Sequence, residues 1–584
     1  MTASPLTGRG APGGADVVRL RPSTRPRGPQ RGGVAAWLLI LSCVATTPRA
    51  ALAQDADPPP VADEIRRRVE TVRAGGAVEI DGERLLAVQA LPRFYESRGF
   101  ERVWVPGSPA VVSLLAAIDD VVDDGLRPAD YHRAVLEPAL EPERAVDPGR
   151  AADLDLLLSD AFLVLASHLQ HGRVNPESLE AEWLALRRLA DPVPLLERAA
   201  HGEDPALLLD GARPRYARHA ALRRAFAALR AVVAEGGWPH VPDGDPLGIG
   251  SEGERVAALR ARLGAVGDLG EQAPEDTARF DEGLAEAVRR FQARHGLDPD
   301  GVVGRGTLAE LEVPAAARLE QLRVNLERWR WLPDDLGRRY VEVNIAGFRA
   351  DLVEGGAPTL RLRAIVGTEY TQTPSFSGLM RYLVLAPTWN VPAGIAAREE
   401  FPLIQADPGR IQAEGFTIID RATGAPVSPD SVDWSAPASE LSRRYRLRQE
   451  PGPRNALGRV KFAFPNRHDV YLHDTPGRSL FERAVRSFSH GCIRVERPLE
   501  LAAALLADSV AWPVERIAAL AAVGRETTIV LPEPVPVHLL YWTAWVDGDT
   551  GVLHYRRDLY RRDARVSAAL AETPPALSDE SAGR

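Results

Sequence analysis

The hydrophobic period of this chain changes just past Pro333. Before that point apolar residues recur at the roughly 3.6-residue spacing of an amphipathic helix. After it they alternate at about every second position, as in a half-buried strand. Residues 151–170 are apolar at helical spacing, and the step His171-Gly172-Arg173 ends the run with a glycine near the C-cap. A shorter amphipathic helix starts at Leu91 and stops at Gly99. Val256, Leu259 and Leu263 mark a third, and Leu284, Ala287, Val288 and Phe291 a fourth that Gly296 closes. Thr307 opens a short helix carrying Leu308 and Leu311. Leu319, Leu322, Leu326 and Trp329 form the stripe of one more helix over 318–331. Alternation then runs through 340–345, 360–366 and 381–385, and strand character returns at 469–472 and 526–531.

These patterns predict a multidomain α+β chain, and its length agrees with about three to four domains. A mainly helical scaffold covers 63–241, a compact three-helix unit 242–313 and a connecting helix 314–334. A mixed, β-rich domain follows over 335–560, with a disordered tail at 561–584. Residues 396–450 interrupt the β-rich domain with Gly, Pro, Asp and Arg but no sustained strand pattern. An insertion of that size in a compact domain is usually functional, and a lid is expected.

The N-terminus has the three-part layout of an export signal. A polar, Arg-bearing lead precedes an apolar run over 34–45, and Ala51-Leu52-Ala53 supplies a small-x-small cleavage signature. Residues 1–53 are therefore read as a leader, followed by a Pro-rich linker at 54–62. The run is shorter than the roughly 20 residues that span a bilayer. Cleavage before Gln54, lipidation at Cys43 and retention as an anchor all fit, and membrane contact is expected only in the last two cases. The chain has a formal net charge of −9, and the leader carries seven arginines and one aspartate, so the remainder is more acidic still. No basic stripe interleaved with aromatics is evident, and nucleic acid is not expected as a partner. Lys461 is the single lysine, which is read as a compositional bias toward arginine.

Two cysteines are present, Cys43 and Cys492. Loss of the leader leaves one thiol and no intramolecular disulfide, in a chain built for an oxidising compartment. Cys492 lies in Ser489-His490-Gly491-Cys492-Ile493-Arg494-Val495, with His473 nineteen residues upstream. That setting predicts a nucleophile. A strand ending near Leu472 delivers His473, and Tyr471 lies two residues before it on the same face. A turn over 487–491 delivers Cys492, and Gly491, lacking a Cβ, lets the main chain approach a bound carbonyl. A free thiol titrates near about 8.5, so a neighbouring imidazole is needed to take its proton and leave a thiolate–imidazolium pair. Main-chain N–H groups around Gly491 and Cys492 are natural donors to the oxyanion of a tetrahedral intermediate. The chemistry so assembled is acyl transfer through a thioester.

Zinc is the competing chemistry, since His473, His490 and Cys492 are three ligand types. No Cys-x-x-Cys or His-Glu-x-x-His spacing accompanies them, and no metal or other cofactor is expected. His468 is expected on the opposite side of the strand and exposed. His168 and His171, three apart on one helix, have no third ligand nearby and are read as surface or structural residues.

The stretch from Tyr471 to Val495 resembles the catalytic signature of the L,D-transpeptidases with a YkuD-type domain. Residues 374–378 (PSFSG) and 387–392 (PTWNVP) resemble further landmarks of that family, and residues 287–308 resemble a peptidoglycan-binding domain. The order of helical scaffold, binding unit and interrupted catalytic domain is similar to the large YcbB-like branch. The resemblance implies Cys492 as nucleophile and His473 as general base, with Gly491 in the turn and Arg494 two residues past the nucleophile. It leaves His490 either orienting the site or packing, and Tyr471 either donating to the oxyanion, positioning His473 or packing. It implies a peptidoglycan L,D-transpeptidase of the periplasm or cell envelope that forms 3→3 crosslinks between stem peptides. Its partners would be peptidoglycan peptides and glycan, and carbapenem-type β-lactams its inhibitors. The insertion would cap the acyl-donor pocket. The acceptor stays open among a stem peptide, a lipoprotein lysine, a free D-amino acid and water, and a wall-binding scaffold with a dead catalytic domain is the alternative of a different class.

Overall fold

A computed structural model describes residues 16–18, 59–137, 147–179, 188, 190–270, 276–508 and 510–577. Of the expected leader, only Asp16–Val18 falls within them, as a short strand running parallel to Thr527–Ile529. The lipidation candidate Cys43 and the cleavage signature lie outside the described residues.

The N-terminal core is organised by the helix Pro148–His171. Asp147 caps its start by accepting from the Arg150 N–H at 3.0 Å, and Pro148 occupies the first turn, where its missing N–H costs nothing. Nearly every residue of this helix is buried, including Asp155 and Asp160. A buried carboxylate must be hydrogen-bonded, and these two bind loops. Asp160 accepts from the N–H groups of Leu86 (2.9 Å) and Ala87 (2.7 Å), and Asp155 from those of Val103 (2.9 Å) and Trp104 (2.7 Å). His168 is also buried, with its Nδ1 3.1 Å from the Tyr131 hydroxyl, so it is a core residue rather than a surface one. The helix ends at Gly172, whose φ is +86° and whose Cα passes so near Glu327 that an added Cβ would lie 2.6 Å from Oε1.

Glu327 belongs to the helix Ala315–Arg330, the expected connector. It is a core element rather than a bridge in solvent. Leu322, Val324, Leu326 and Trp329 are buried, and so are Glu327, Arg328 and Arg330. A helix buried all round tolerates charge only when paired: Arg330 meets Glu327 at 2.8 Å and Arg328 meets Asp563 at 2.6 Å. Trp329 stacks on Trp542 of the β-rich domain, ring centroids 4.6 Å apart. The three-helix unit, Glu254–Ala265, Glu282–His295 and Arg305–Leu311, has its own core of Val256, Leu259, Leu284, Val288 and Phe291. It touches the β-rich domain where His295 stacks on Tyr555.

The β-rich domain is a sheet that closes on itself. Arg339–Asn344, Arg349–Glu354 and Ala357–Gly367 form an antiparallel meander. Ile493–Val495 joins its last strand antiparallel, Leu472–His473 joins next in parallel, and Val460–Ala463 follows antiparallel. Phe376–Leu385 pairs with Val460–Ala463 and with the long strand Thr527–Leu540, which runs parallel to the first strand of the meander. Closure removes the free edges that an open sheet of this length would present.

Three expectations are corrected. The insertion does contain strands: Phe416–Asp420, Tyr445–Gln449 and Pro426–Val427 form a small sheet completed by Trp389–Asn390. It encloses a separate core with Phe401, Ile404, Ile418 and Leu447. Tyr445, Leu447 and Gln449 face inward while Arg446 and Arg448 face out, so the alternation is present but disguised by arginine and glutamine. The strand expected over 469–472 begins only at Leu472. Asn466 Oδ1 accepts from the N–H groups of His468 (2.9 Å) and Val470 (3.2 Å), holding that stretch in a turn instead of a ladder. The tail is the third: Arg562–Ala571 is a helix with Val566 and Leu570 buried against Ala315–Arg330. Residues 578–584 lie outside the described residues.

Candidate active site

Three short strands set one wall of a cleft. In the ladder Lys461 lies opposite His473, and His473 lies opposite Arg494. Residues in register across a sheet point to the same face, so these three side chains share one. Phe462, Leu472 and Ile493, one position along, point the other way and are completely buried in the core. Period 2 then adds Tyr471 to the face of His473, and Cys492 to that of Arg494. The cleft has a volume of about 900 Å³ and contains Lys461, Tyr471, His473, His490, Cys492 and Arg494 on this side. The insertion supplies the far side through Arg398, Glu399, Glu400 and Arg410.

His473 is buried, and its Nδ1 is 2.5 Å from the carbonyl oxygen of Asp474. A carbonyl only accepts, so the proton is on Nδ1 and the lone pair on Nε2. Burial, then Arg494 and Lys461, hold this imidazole neutral, with its pKa down to about 3. The Asp474 carboxylate accepts from the N–H groups of Thr475 (2.7 Å) and Arg459 (2.8 Å) and pairs with Arg478, which secures the carbonyl that orients the ring.

Cys492 is half-buried, and its Sγ lies 3.7 Å from the Asp469 carbonyl oxygen. Burial pushes the thiol up, while main-chain and hydroxyl hydrogen bonds from Tyr471 and the charges of Lys461 and Arg494 act in the opposite sense. Both directions favour a neutral thiol and a neutral imidazole at rest, not the thiolate–imidazolium pair expected from the sequence. Tyr471 packs edge-on against the His473 ring, centroids 5.6 Å apart, and lines the cleft with Cys492.

The turn that carries Cys492 is held from behind. Gly491 has φ +108°, a left-handed value that a side chain resists. That requirement by itself favours a glycine at this position. Its N–H donates to Ser489 Oγ at 3.2 Å and its carbonyl accepts from Thr373 Oγ1 at 2.8 Å. The Gly491 N–H is thus already used within the turn, and the Cys492 N–H is the main-chain donor that remains. Ser489 Oγ also donates to the Cys492 carbonyl at 2.5 Å. Thr373 is fixed by Tyr560, whose hydroxyl donates to the Gly367 carbonyl at 2.7 Å and accepts from the Thr373 N–H at 3.2 Å.

His490 points away from the thiol. Its Nε2 is 2.6 Å from Glu399 Oε1, on the π-helical turn Ala396–Glu400 that opens the insertion. His468 lies at the edge of the cleft, half-buried against Phe376, and not exposed as expected. Sequence reasoning did not place Ser489, Thr373, Tyr560 or Glu399 around the site, and it noted Lys461 only as the single lysine. Its solitude among 71 basic residues was a legible signal.

Cys492, in a tight glycine turn, and His473, with its proton fixed on Nδ1, thus lie together on the cleft face of the closed sheet. Residues 338–530 match the L,D-transpeptidase catalytic domain family, YkuD. Residues 89–226 match a scaffold domain and residues 252–311 a putative peptidoglycan-binding domain. A putative L,D-transpeptidase of Haemophilus influenzae is 34% identical over 250 residues, covering 43% of this chain and 49% of that protein. The N-acetylmuramoyl-L-alanine amidase CwlM of Mycobacterium tuberculosis is 34% identical over 125 residues, covering 20% of this chain and 30% of its own. Among solved structures, an L,D-transpeptidase from Xylanimonas cellulosilytica is 18% identical with a TM-score of 0.17, covering 51% of this chain and 99% of its own. The chain spans about half the length of the Haemophilus relative and less of the amidase. The chain thus carries an L,D-transpeptidase catalytic domain of the YkuD family, with a scaffold domain and a peptidoglycan-binding domain on the same polypeptide.

Proposed function

We propose that the protein is a peptidoglycan L,D-transpeptidase of the cell envelope that forms 3→3 crosslinks through a thioester on Cys492. The observation that carries this reading is the common face of Tyr471, His473 and Cys492, opening on a cleft that the insertion covers. His473 Nε2 takes the thiol proton as Sγ attacks the carbonyl of the third residue of a donor stem, typically meso-diaminopimelate. The Cys492 N–H and the Tyr471 hydroxyl meet the developing oxyanion. The imidazolium returns the proton to the departing D-alanine amine, leaving the thioester. A side-chain amine of a second stem then attacks, His473 takes its proton, and the thiol is regenerated. The insertion excludes water, so that the amine rather than hydrolysis resolves the thioester. The three-helix unit holds the enzyme on the wall.

The test is incubation of the purified protein with a carbapenem and, separately, with disaccharide tetrapeptides. A one-to-one covalent adduct on Cys492 and a 3→3 dimer are expected. An adduct without dimers, but with tripeptide and free D-alanine, would replace crosslinking by L,D-carboxypeptidase activity. Dimers absent and no adduct would leave a wall-binding scaffold.

A further inference from the structure

Seventy of the 71 basic residues in this chain are arginine, and the one lysine stands in the candidate active site. Lys461 sits on the strand Val460–Ala463, directly opposite His473 in the ladder. Its Nζ lies 3.8 Å from the centroid of the Tyr471 ring, within cation–π range. Among the described residues no carboxylate lies within ion-pair distance of it, although most of the buried arginines, such as Arg173, Arg328 and Arg330, have such a partner. Lys461, Tyr471 and Cys492 line the same cleft.

We propose that Lys461 is a positioning residue that stabilises the thiolate of Cys492 by its own charge, from the cleft wall that it shares with the sulfur. This inference rests on the reading of Cys492 as the nucleophile. A thiolate needs a counter-charge. His473 supplies one poorly, because burial and two neighbouring cations oppose its protonation. Lys461 is already charged, and forming the thiolate beside it relieves an unpaired cation. The same relation appears from the other side: the charge of Cys492 supports the protonated form of Lys461 against burial.

The other groups around Lys461 fit this assignment. Arg494 flanks it beyond His473 and adds to the positive field at the sulfur. Burial lowers the pKa of the ammonium, and Glu526 and Asp469 act from a distance in the opposite sense. Across the cleft Glu399 is taken by His490, and Glu400 faces Arg410 at 3.8 Å. Lysine suits the position better than arginine. An ammonium is a compact point charge that rests on one ring face, whereas a planar guanidinium seeks a carboxylate to grip in a fork.

The first test measures the rate of Cys492 alkylation by iodoacetamide against pH, read by mass spectrometry on the peptide carrying Cys492. In Lys461→Met the midpoint should rise by roughly one unit or more, since a nearby opposite charge shifts a titration by about that amount. The thiolate fraction at neutral pH should then fall about tenfold. Lys461→Arg should recover part of the loss, and KM for a peptide donor should stay near the native value in both variants. An unchanged midpoint in Lys461→Met overturns the proposal. So does a raised KM with an unchanged midpoint, which would make Lys461 a binder of substrate carboxylate. A second measurement needs no variant. Protein labelled with isotopic lysine gives a single side-chain signal, because there is one lysine. Blocking Cys492 with iodoacetamide should lower the titration midpoint of that signal, and no change would overturn the proposal. Both readouts follow ionisation and not turnover. A failure of crosslinking with these results intact would therefore strike the proposed function alone, and a native thiol inert to alkylation up to high pH would strike both.

Discussion

His490 Nε2 lies 2.6 Å from Glu399 Oε1, and the contact joins the turn that carries the thiol to the first turn of the insertion. Both side chains are partly exposed, so the pair is a modest latch rather than a structural bolt. Exposed pairs contribute about 0.2–1 kcal/mol. Glu399→Gln should therefore change donor-peptide turnover by no more than about fivefold, with a rise in thioester hydrolysis relative to crosslinking. The ratio of tripeptide to 3→3 dimer, measured by chromatography, checks this. A ratio equal to the native one would show that the contact does not hold the insertion closed.

Cys492→Ser should form no covalent adduct with a carbapenem and no crosslinks, while keeping the native apparent Tm. A hydroxyl is far less acidic than a thiol, and a histidine held neutral by burial is a weak base for it. Retention of more than a few per cent of activity would dismiss the thiol as nucleophile.

His473→Ala should slow carbapenem acylation by roughly 10²- to 10⁴-fold, the range of a lost general base. His490→Ala should cost far less, because its ring is turned to Glu399. Stopped-flow acylation rates for the two variants decide between the imidazoles, and a larger loss at His490 would reverse the assignment.

Deletion of residues 562–584 should destabilise the protein by several kcal/mol. Val566 and Leu570 are buried, and each aliphatic side chain of this size contributes about 1.5–3 kcal/mol on burial. Arg562 also donates to Ser375 Oγ at 2.8 Å and to the Thr373 carbonyl at 3.1 Å, bracing the loop behind Gly491. Acylation should slow along with the fall in Tm. An unchanged thermal transition would return this segment to the status of a tail.

Acid should destabilise the fold through His219. This side chain is buried on the helix Ala217–Ala234 with Nε2 unpartnered, and burial with Arg330 lowers its pKa to about 3. In the unfolded chain histidine titrates near about 6.5. Between those values the unfolded state binds the extra proton, so stability falls as pH drops from about 6.5 toward 3. His219→Leu should flatten that part of the profile in urea titrations run at several pH values. An equally steep fall in the variant would assign the acid sensitivity elsewhere.

The sequence by itself determined what depends on near neighbours. The switch in hydrophobic period separates helical from β-rich regions because period reports which face of one element is buried. Tyr471 and His473 fall on one face because they are two apart in an extended stretch, and the glycine turn before Cys492 is local as well. The ladder that sets Lys461 opposite His473 was decided only by tertiary structure. Strand pairing is chosen by the whole closed sheet, and no residue of either strand announces its partner. The same holds for the insertion, whose arginine-rich strands gain their core only when folded together with Trp389–Asn390. It holds for Arg562–Ala571, a short helix with little intrinsic stability that persists because Val566 and Leu570 find Ala315–Arg330. Local pattern chose the elements, and burial among distant partners chose which of them meet at the cleft.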